Sequence, residues 1–199
     1  MYNNRMLRLE KSYTLDEKIK TMSTKEYYEK YVDFSETSES CKICDMYNNN
    51  WSCPPFENDV MNSWQKYENI DLILTRLHFN EFITENIYEK EEIDTILHLT
   101  LFNEKKKLLQ RIRKKISLDE NFPKDTMILS TGYCNICPTC SKQEGRPCRY
   151  PKNKLHSIES IGGLVTKTTY EEFDTEIQWI DMEKGVIPEY LTLLMGVLY

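Results

Sequence analysis

Apolar and polar positions alternate along this chain in ways that mark out a small set of elements. Residues 1–40 are mostly polar, and one helix is predicted there, Ser23–Tyr31, with Ser23 or Thr24 as its N-cap. The run DFSETSES before Cys41 reads as a loop. Beyond Cys53, the pair Pro54-Pro55 stiffens the backbone, and Glu57–Tyr67 is expected to be helical. Ile70–Phe79 (IDLILTRLHF) starts as an unbroken apolar run and then alternates, as a strand in a buried sheet position does. In Glu91–Ile116 the apolar Ile93, Leu97, Leu101, Leu108, Ile112 and Ile116 recur at helical steps, which predicts the longest helix with one buried stripe. Asp125–Gly132 reads as a strand, and Ser157–Thr168 as a short helix that Gly162-Gly163 interrupt or end. Two late strands, Glu176–Asp181 and Tyr190–Tyr199, are expected on either side of a turn at Glu183–Pro188.

That order of elements predicts an α+β fold: a small mixed or antiparallel sheet covered by helices, with two cysteine-rich metal-binding loops. Residues 24–199 are expected to form a single domain behind an N-terminal extension, 1–23. A chain of 199 residues, 40% hydrophobic and 29% charged, has the material for one ordinary core and is not a disordered, collagen-like or coiled-coil sequence. The net charge of −6 argues against nucleic acid or an anionic membrane as partner. No run reaches the ~18 apolar residues of a membrane span, and the start MYNNRMLRLEKSYTLDEKIK lacks a signal peptide's apolar core. The expected location is the cytoplasm. The basic tail of the long helix, KKKLLQRIRKK, is expected to be a solvated face that offsets the helix dipole, a binding face being the other reading.

The cysteines change the picture. There are seven, an odd number that cannot all pair into disulfides, and they fall into two clusters. Cys41, Cys44 and Cys53 lie in SCKICDMYNNNWSCPPF; Cys134, Cys137, Cys140 and Cys148 lie in YCNICPTCSKQEGRPCRYP; the spacer between them has none. Such clustering is the habit of metal ligands. The core C-x2-C-x2-C matches the iron–sulfur run of bacterial ferredoxins better than the paired knuckles of zinc sites, although Cys148 comes later than the ferredoxin pattern places its fourth cysteine. The first segment, C-x2-C-x8-C, lacks a fourth ligand, for which Cys148, His156, Asp45 or an exogenous molecule are candidates. One partition puts a [4Fe-4S] centre on Cys134, Cys137, Cys140 and Cys148 and a second centre on Cys41, Cys44 and Cys53; another lets one centre draw on both loops. Between Cys134 and Lys154 five basic residues face one acid, and Arg146 and Arg149, which flank Cys148, are the candidates to sit against an anionic cluster. His78 and His98 are read as structural and His156 as a cap or surface residue. Aromatic Tyr47, Trp51, Phe56, Tyr133 and Tyr150 flank the loops as packing anchors or cluster shields. No phosphate-binding glycine loop or Ser/His/Asp order appears.

Together, the CxxC leading to W-x-C-P-P, the C-x2-C-x2-C, the C-R-x-P element and the Ser-x-Glu before a glycine resemble the cysteine-rich predicted metal-binding proteins of domain of unknown function 2284. The resemblance runs over roughly residues 24–199. It implies a metal or iron–sulfur protein with the seven cysteines as ligands and with Trp51, Pro54, Pro55, Arg149, Pro151, Ser157 and Glu159 at supporting positions. Where that family often has a glycine-containing turn, this chain has Asn48-Asn49-Asn50. Asn accepts left-handed backbone, so the turn is expected to persist. The expected function is electron transfer, redox sensing or an accessory role to an anaerobic enzyme, with a protein electron donor or acceptor as partner. A zinc-stabilised interaction module is the alternative.

Overall fold

The computed structural model describes residues 12–56 and 59–199. Among them, five strands form one mixed sheet in the order β1-β2-β5-β3-β4. The strands are β1 (Tyr13–Ser23), β2 (Asn69–Phe79), β3 (Met127–Ser130), β4 (His156–Ser157) and β5 (Tyr190–Leu198). Neighbouring pairs are antiparallel except β3 and β4, which run parallel. The α+β expectation therefore holds.

β2 lies inside the sheet, between β1 and β5, and both its faces are apolar. Ile70, Leu72 and Leu74 join Leu194 and Leu198 of β5 and Leu129 of β3 in a core closed by Tyr27 and Tyr31, Trp64, Ile158, Ile161 and Phe173. The lid of that core is held by direction as well as by area. The Tyr27 ring stacks on Trp64 with centroids 5.0 Å apart, and the Trp64 indole N–H donates to the carbonyl of Ile161 at 2.7 Å. On the other face Ile73, Met195 and Val197 meet Leu108 and Ile112. Phe79 and Leu191 extend this layer to Ile83, Ile93 and Ile96. A strand covered on two sides reads as a continuous apolar run, which is why the sequence exposed it.

The helices are α1 (Thr24–Tyr31), α2 (Phe34–Lys42), α3 (Glu81–Thr84), α4 (Lys90–Leu99), α5 (Leu101–Leu118) and α6 (Val165–Phe173). α1 starts where predicted, with the Ser23 hydroxyl accepting the N–H of Glu26. Five expectations change. The run DFSETSES is helix α2, capped by Asp33, whose carboxylate accepts the N–H groups of Ser35 and Glu36 at 2.8 and 3.0 Å. The long helix is two, parted at the fully buried Thr100, whose hydroxyl bonds back to the carbonyl of Ile96 and whose backbone leaves helical geometry. Ser157–Thr168 is divided into β4, a 3-10 turn at Glu159–Ile161 and α6, with Gly162 in left-handed backbone between them. Glu176–Asp181 is no strand, and only the isolated bridge Asp181–Val186 forms there. The expected helix Glu57–Tyr67 is a 3-10 helix, Val60–Gln65; its expected start at Glu57 lies outside the described residues.

The N-terminal stretch also departs from expectation. Residues up to 11 lie outside the described residues, but Tyr13–Ser23, placed before the domain by the sequence reading, pairs residue for residue with β2. Its charged side chains hid it. Asp16 meets Arg76, Glu17 meets Arg111, and Lys20 meets Glu172 across the sheet and its helices. Charge on an edge strand also blocks pairing with a second chain. No helix among the described residues is long and apolar enough to cross a membrane.

Candidate metal centre

The two cysteine segments leave the framework at different places and meet beside the short β3–β4 edge. Cys41 sits in the last turn of α2. That helix is anchored by the N–H of Asp33 donating to Gly162 and the N–H of Leu164 donating to Tyr31, which sets it against the Glu159–Ile161 turn. A chain of turns follows: Cys44 N–H to Cys41 O, Tyr47 N–H to Cys44 O, and Cys53 N–H to Asn50 O. Asn48 takes left-handed backbone (φ +56°), as expected of the asparagine turn, and its N–H donates to Pro54 O across the loop. Cys53 is thereby folded back toward Cys41 and Cys44. Burial pushes the Cys53 thiol up to about 11; the Ser52 hydroxyl opposes the rise, while Cys44 and Cys41 add to it. Burial, followed by Glu159 and Cys44, raises Cys41 too. The three thiols stand within one another's electrostatic reach.

The second segment leaves β3 over a buried lysine. The ammonium of Lys105 donates to the carbonyls of Thr131 and Tyr133 at 2.6 and 3.1 Å, which fixes the chain just before Cys134. Burial lowers Lys105 to about 8, and Cys134 and Glu159 resist that fall. The Ser141–Glu144 turn closes on left-handed Gly145, and the chain returns to the sheet at His156.

Two polar residues join the segments: Asn50, read from the sequence only as part of the asparagine turn, and Ser52, which the sequence did not mark. Asn50, 3% exposed, donates its side-chain amide to Cys134 O at 2.9 Å. Ser52, fully buried, accepts the N–H of Cys134 at 3.0 Å and donates to the Asn50 side-chain carbonyl at 2.9 Å. Trp51 lies between them. Its backbone N–H points at Cys140 Sγ (3.4 Å) and its indole N–H donates to Arg146 O (2.9 Å). Lys142 lies over its ring. Nothing in composition marks a serine or asparagine for burial; only the opposite loop makes them necessary.

Cys134, Cys137, Cys140 and Cys148 wall one cleft together with Asn50 and Trp51. Arg149 is on that wall, its guanidinium donating to Thr139 O at 2.7 Å and pairing with Glu144. Arg146 is not: its side chain pairs with Glu144 and only its backbone carbonyl serves the site. His156 is neither cap nor surface. It is buried in β4, shares Nδ1 with Ser52 O (3.2 Å), lies edge-on to Phe56, and is pushed down to about 4 by burial and then by Lys154. His78 faces Asp16 and His98 faces Phe102, and neither lines the thiol cleft. Asp45 is exposed.

Glu159 is the other residue the geometry brings forward. Its Oε2 is sealed from solvent with no hydrogen-bond partner, and burial raises its pKa. An orphaned buried carboxylate oxygen is costly and calls for a cation or a proton. It lies close enough to Cys41 to raise that thiol.

The donor set fits a thiophilic centre: thiols around one cleft, an N–H aimed at sulfur, and an unpartnered oxygen by the other thiols. The cleft is narrow, about 20 Å³, and among the described residues no three Cys, His, Asp or Glu side chains stand close enough to hold a single ion.

Two thiol-bearing loops, laced together at one edge of a helix-covered mixed sheet, define a cysteine-rich α+β protein. The chain belongs to the predicted metal-binding protein family DUF2284, whose model matches residues 28–199. No curated protein and no solved structure matches it.

Proposed function

We propose that this is an iron–sulfur protein serving electron transfer or an accessory role to an anaerobic enzyme, with a redox protein as its partner. Cys134, Cys137, Cys140 and Cys148 would hold a [4Fe-4S] centre. Cys41, Cys44 and Cys53 would hold a second centre, with Glu159 as the oxygen donor that completes the set. The observation that carries the reading is the shared cleft: a C-x2-C-x2-C run and a more distant fourth cysteine all face the same space. Such a cluster supplies one-electron chemistry when bound. The chain's own part is to supply thiolates, to aim the Trp51 N–H at Cys140 Sγ, and to set Arg149 on the wall, both of which favour an anionic group.

Iron and acid-labile sulfide in anaerobically purified protein test the proposal. Iron with matching sulfide is expected; stoichiometric zinc with negligible sulfide would replace the cluster by a zinc-stabilised module. Cys137→Ser is expected to lose the iron of the second segment and Cys53→Ser only part of the total. Loss of all iron in Cys53→Ser would mean one shared centre.

A further inference from the structure

Ile136 lies between two cavities. On one side is the thiol cleft; on the other is an open cavity of about 580 Å³ between α4–α5 and the start of the second cysteine segment, bordered there by Asn135 and Ile136. That volume is in the range of small-molecule sites. Its apolar surface comes from Leu99, Phe102, Leu109 and Ile136, and no acidic residue lines it.

The charge on α5 is divided around this cavity. Lys107, Arg111 and Lys115, at four-residue steps, are spent on Glu104 (2.7 Å), Glu17 (2.6 Å) and Asp71 (3.5 Å). Lys106 and Arg113, one turn-pair apart on the cavity side, form no ion pair with any described residue. Lys105 also borders the cavity, with its ammonium held by two backbone carbonyls. One helix therefore carries a neutralised basic stripe toward the sheet and an unneutralised one toward an apolar-walled space. Solvation alone accounts for a basic outer face, but not for cations gathered at the mouth of such a cavity with every acid kept out.

We propose that the cavity binds a small organic anion, a carboxylate or phosphate on an apolar body, held by Arg113 and Lys106 with its apolar part against Phe102, Leu109 and Ile136. Arg113 offers a planar fork suited to either oxyanion and Lys106 a point charge. The bound molecule would lie one side chain away from the thiol cleft, as a substrate or effector of the centre there. That last role rests on the metal-centre reading; the anion site stands without it.

Calorimetric titration of the full-length, anaerobically prepared protein with benzoate, phenyl phosphate and the neutral benzamide tests this. One or both anions are expected to bind at least about tenfold more tightly than benzamide, the worth of one charge-assisted contact. Which anion wins separates a carboxylate from a phosphate ligand. The double variant Lys106→Gln/Arg113→Gln should weaken anion binding about tenfold or more with iron content unchanged, and Leu109→Trp should block it by filling the cavity. Arg111→Gln, on the neutralised stripe, should leave it unchanged. Absence of anion binding at millimolar concentration, equal binding of benzamide, or undiminished binding in the double variant would overturn the proposal. Anion binding without iron or sulfide would defeat only the cluster reading; iron and sulfide without anion binding would defeat only this one.

Discussion

The Ser52 hydroxyl joins two stretches of chain that are more than eighty residues apart, and it does so where no water can replace it. Removing it leaves the Cys134 N–H without its acceptor, while the Asn50 side-chain carbonyl keeps only the Ser52 backbone N–H. Ser52→Ala should therefore cost about 1–3 kcal/mol in chemical denaturation and reduce bound metal, whereas a surface serine such as Ser117 should cost little. His156 makes a different contribution at the same junction. Its folded pKa, about 4, lies below the usual 6.5, so the unfolded chain takes up the proton first. Stability contributed by the neutral ring is complete above pH 6.5 and is lost as pH falls toward 4, on the order of 3 kcal/mol. Denaturation of wild type and His156→Gln at pH 7 and pH 5 checks this: the difference between the two should shrink or reverse at the lower pH.

At the scale of elements, the site depends on how α1, α2 and the Glu159–Ile161 turn are knotted together. Gly162 is the tie. Its φ of +97° suits only glycine, and a β-carbon there would strike the Phe34 ring at about 2.5 Å and Val32 at 3.0 Å. Gly162→Ala should lose about 2 kcal/mol or more, seen as a lowered Tm, and should disturb Cys41 and Glu159 together because both hang on that junction. Helix α2 was not legible as a helix, since its sequence FSETSESCK has no apolar period and buries little beyond Thr37. The capping Asp33 was the available signal. Thr100 shows the converse: the apolar period ran on through Leu101 to Ile116, and a buried hydroxyl bonding its own helix ended α4 inside it.

For the whole molecule, β1 ties the N-terminal part of the described chain into the sheet. It covers the edge of β2 across eleven residue pairs, and its charges engage α5 and α6. A chain starting at residue 24 would leave the apolar β2 as an open edge. It should melt at a lower temperature than the full chain and associate in size-exclusion chromatography; a monomer of unchanged Tm would mean that β1 is dispensable.

The periodicity of β2, of α5 and of the final strand was readable in the sequence because burial against a sheet or helix imposes a local rhythm on neighbouring residues. The grouping of seven thiols was readable because ligand chemistry restricts residue type. Only the tertiary structure decided that Asn50 and Ser52 would lace the two loops, that Glu159 would be sealed beside Cys41, that His156 would be interior, and that α5 would divide its charge between sheet and cavity. Each of these depends on partners far off in the chain, and a single polar residue buried by a distant loop leaves no rhythm or compositional trace where it stands.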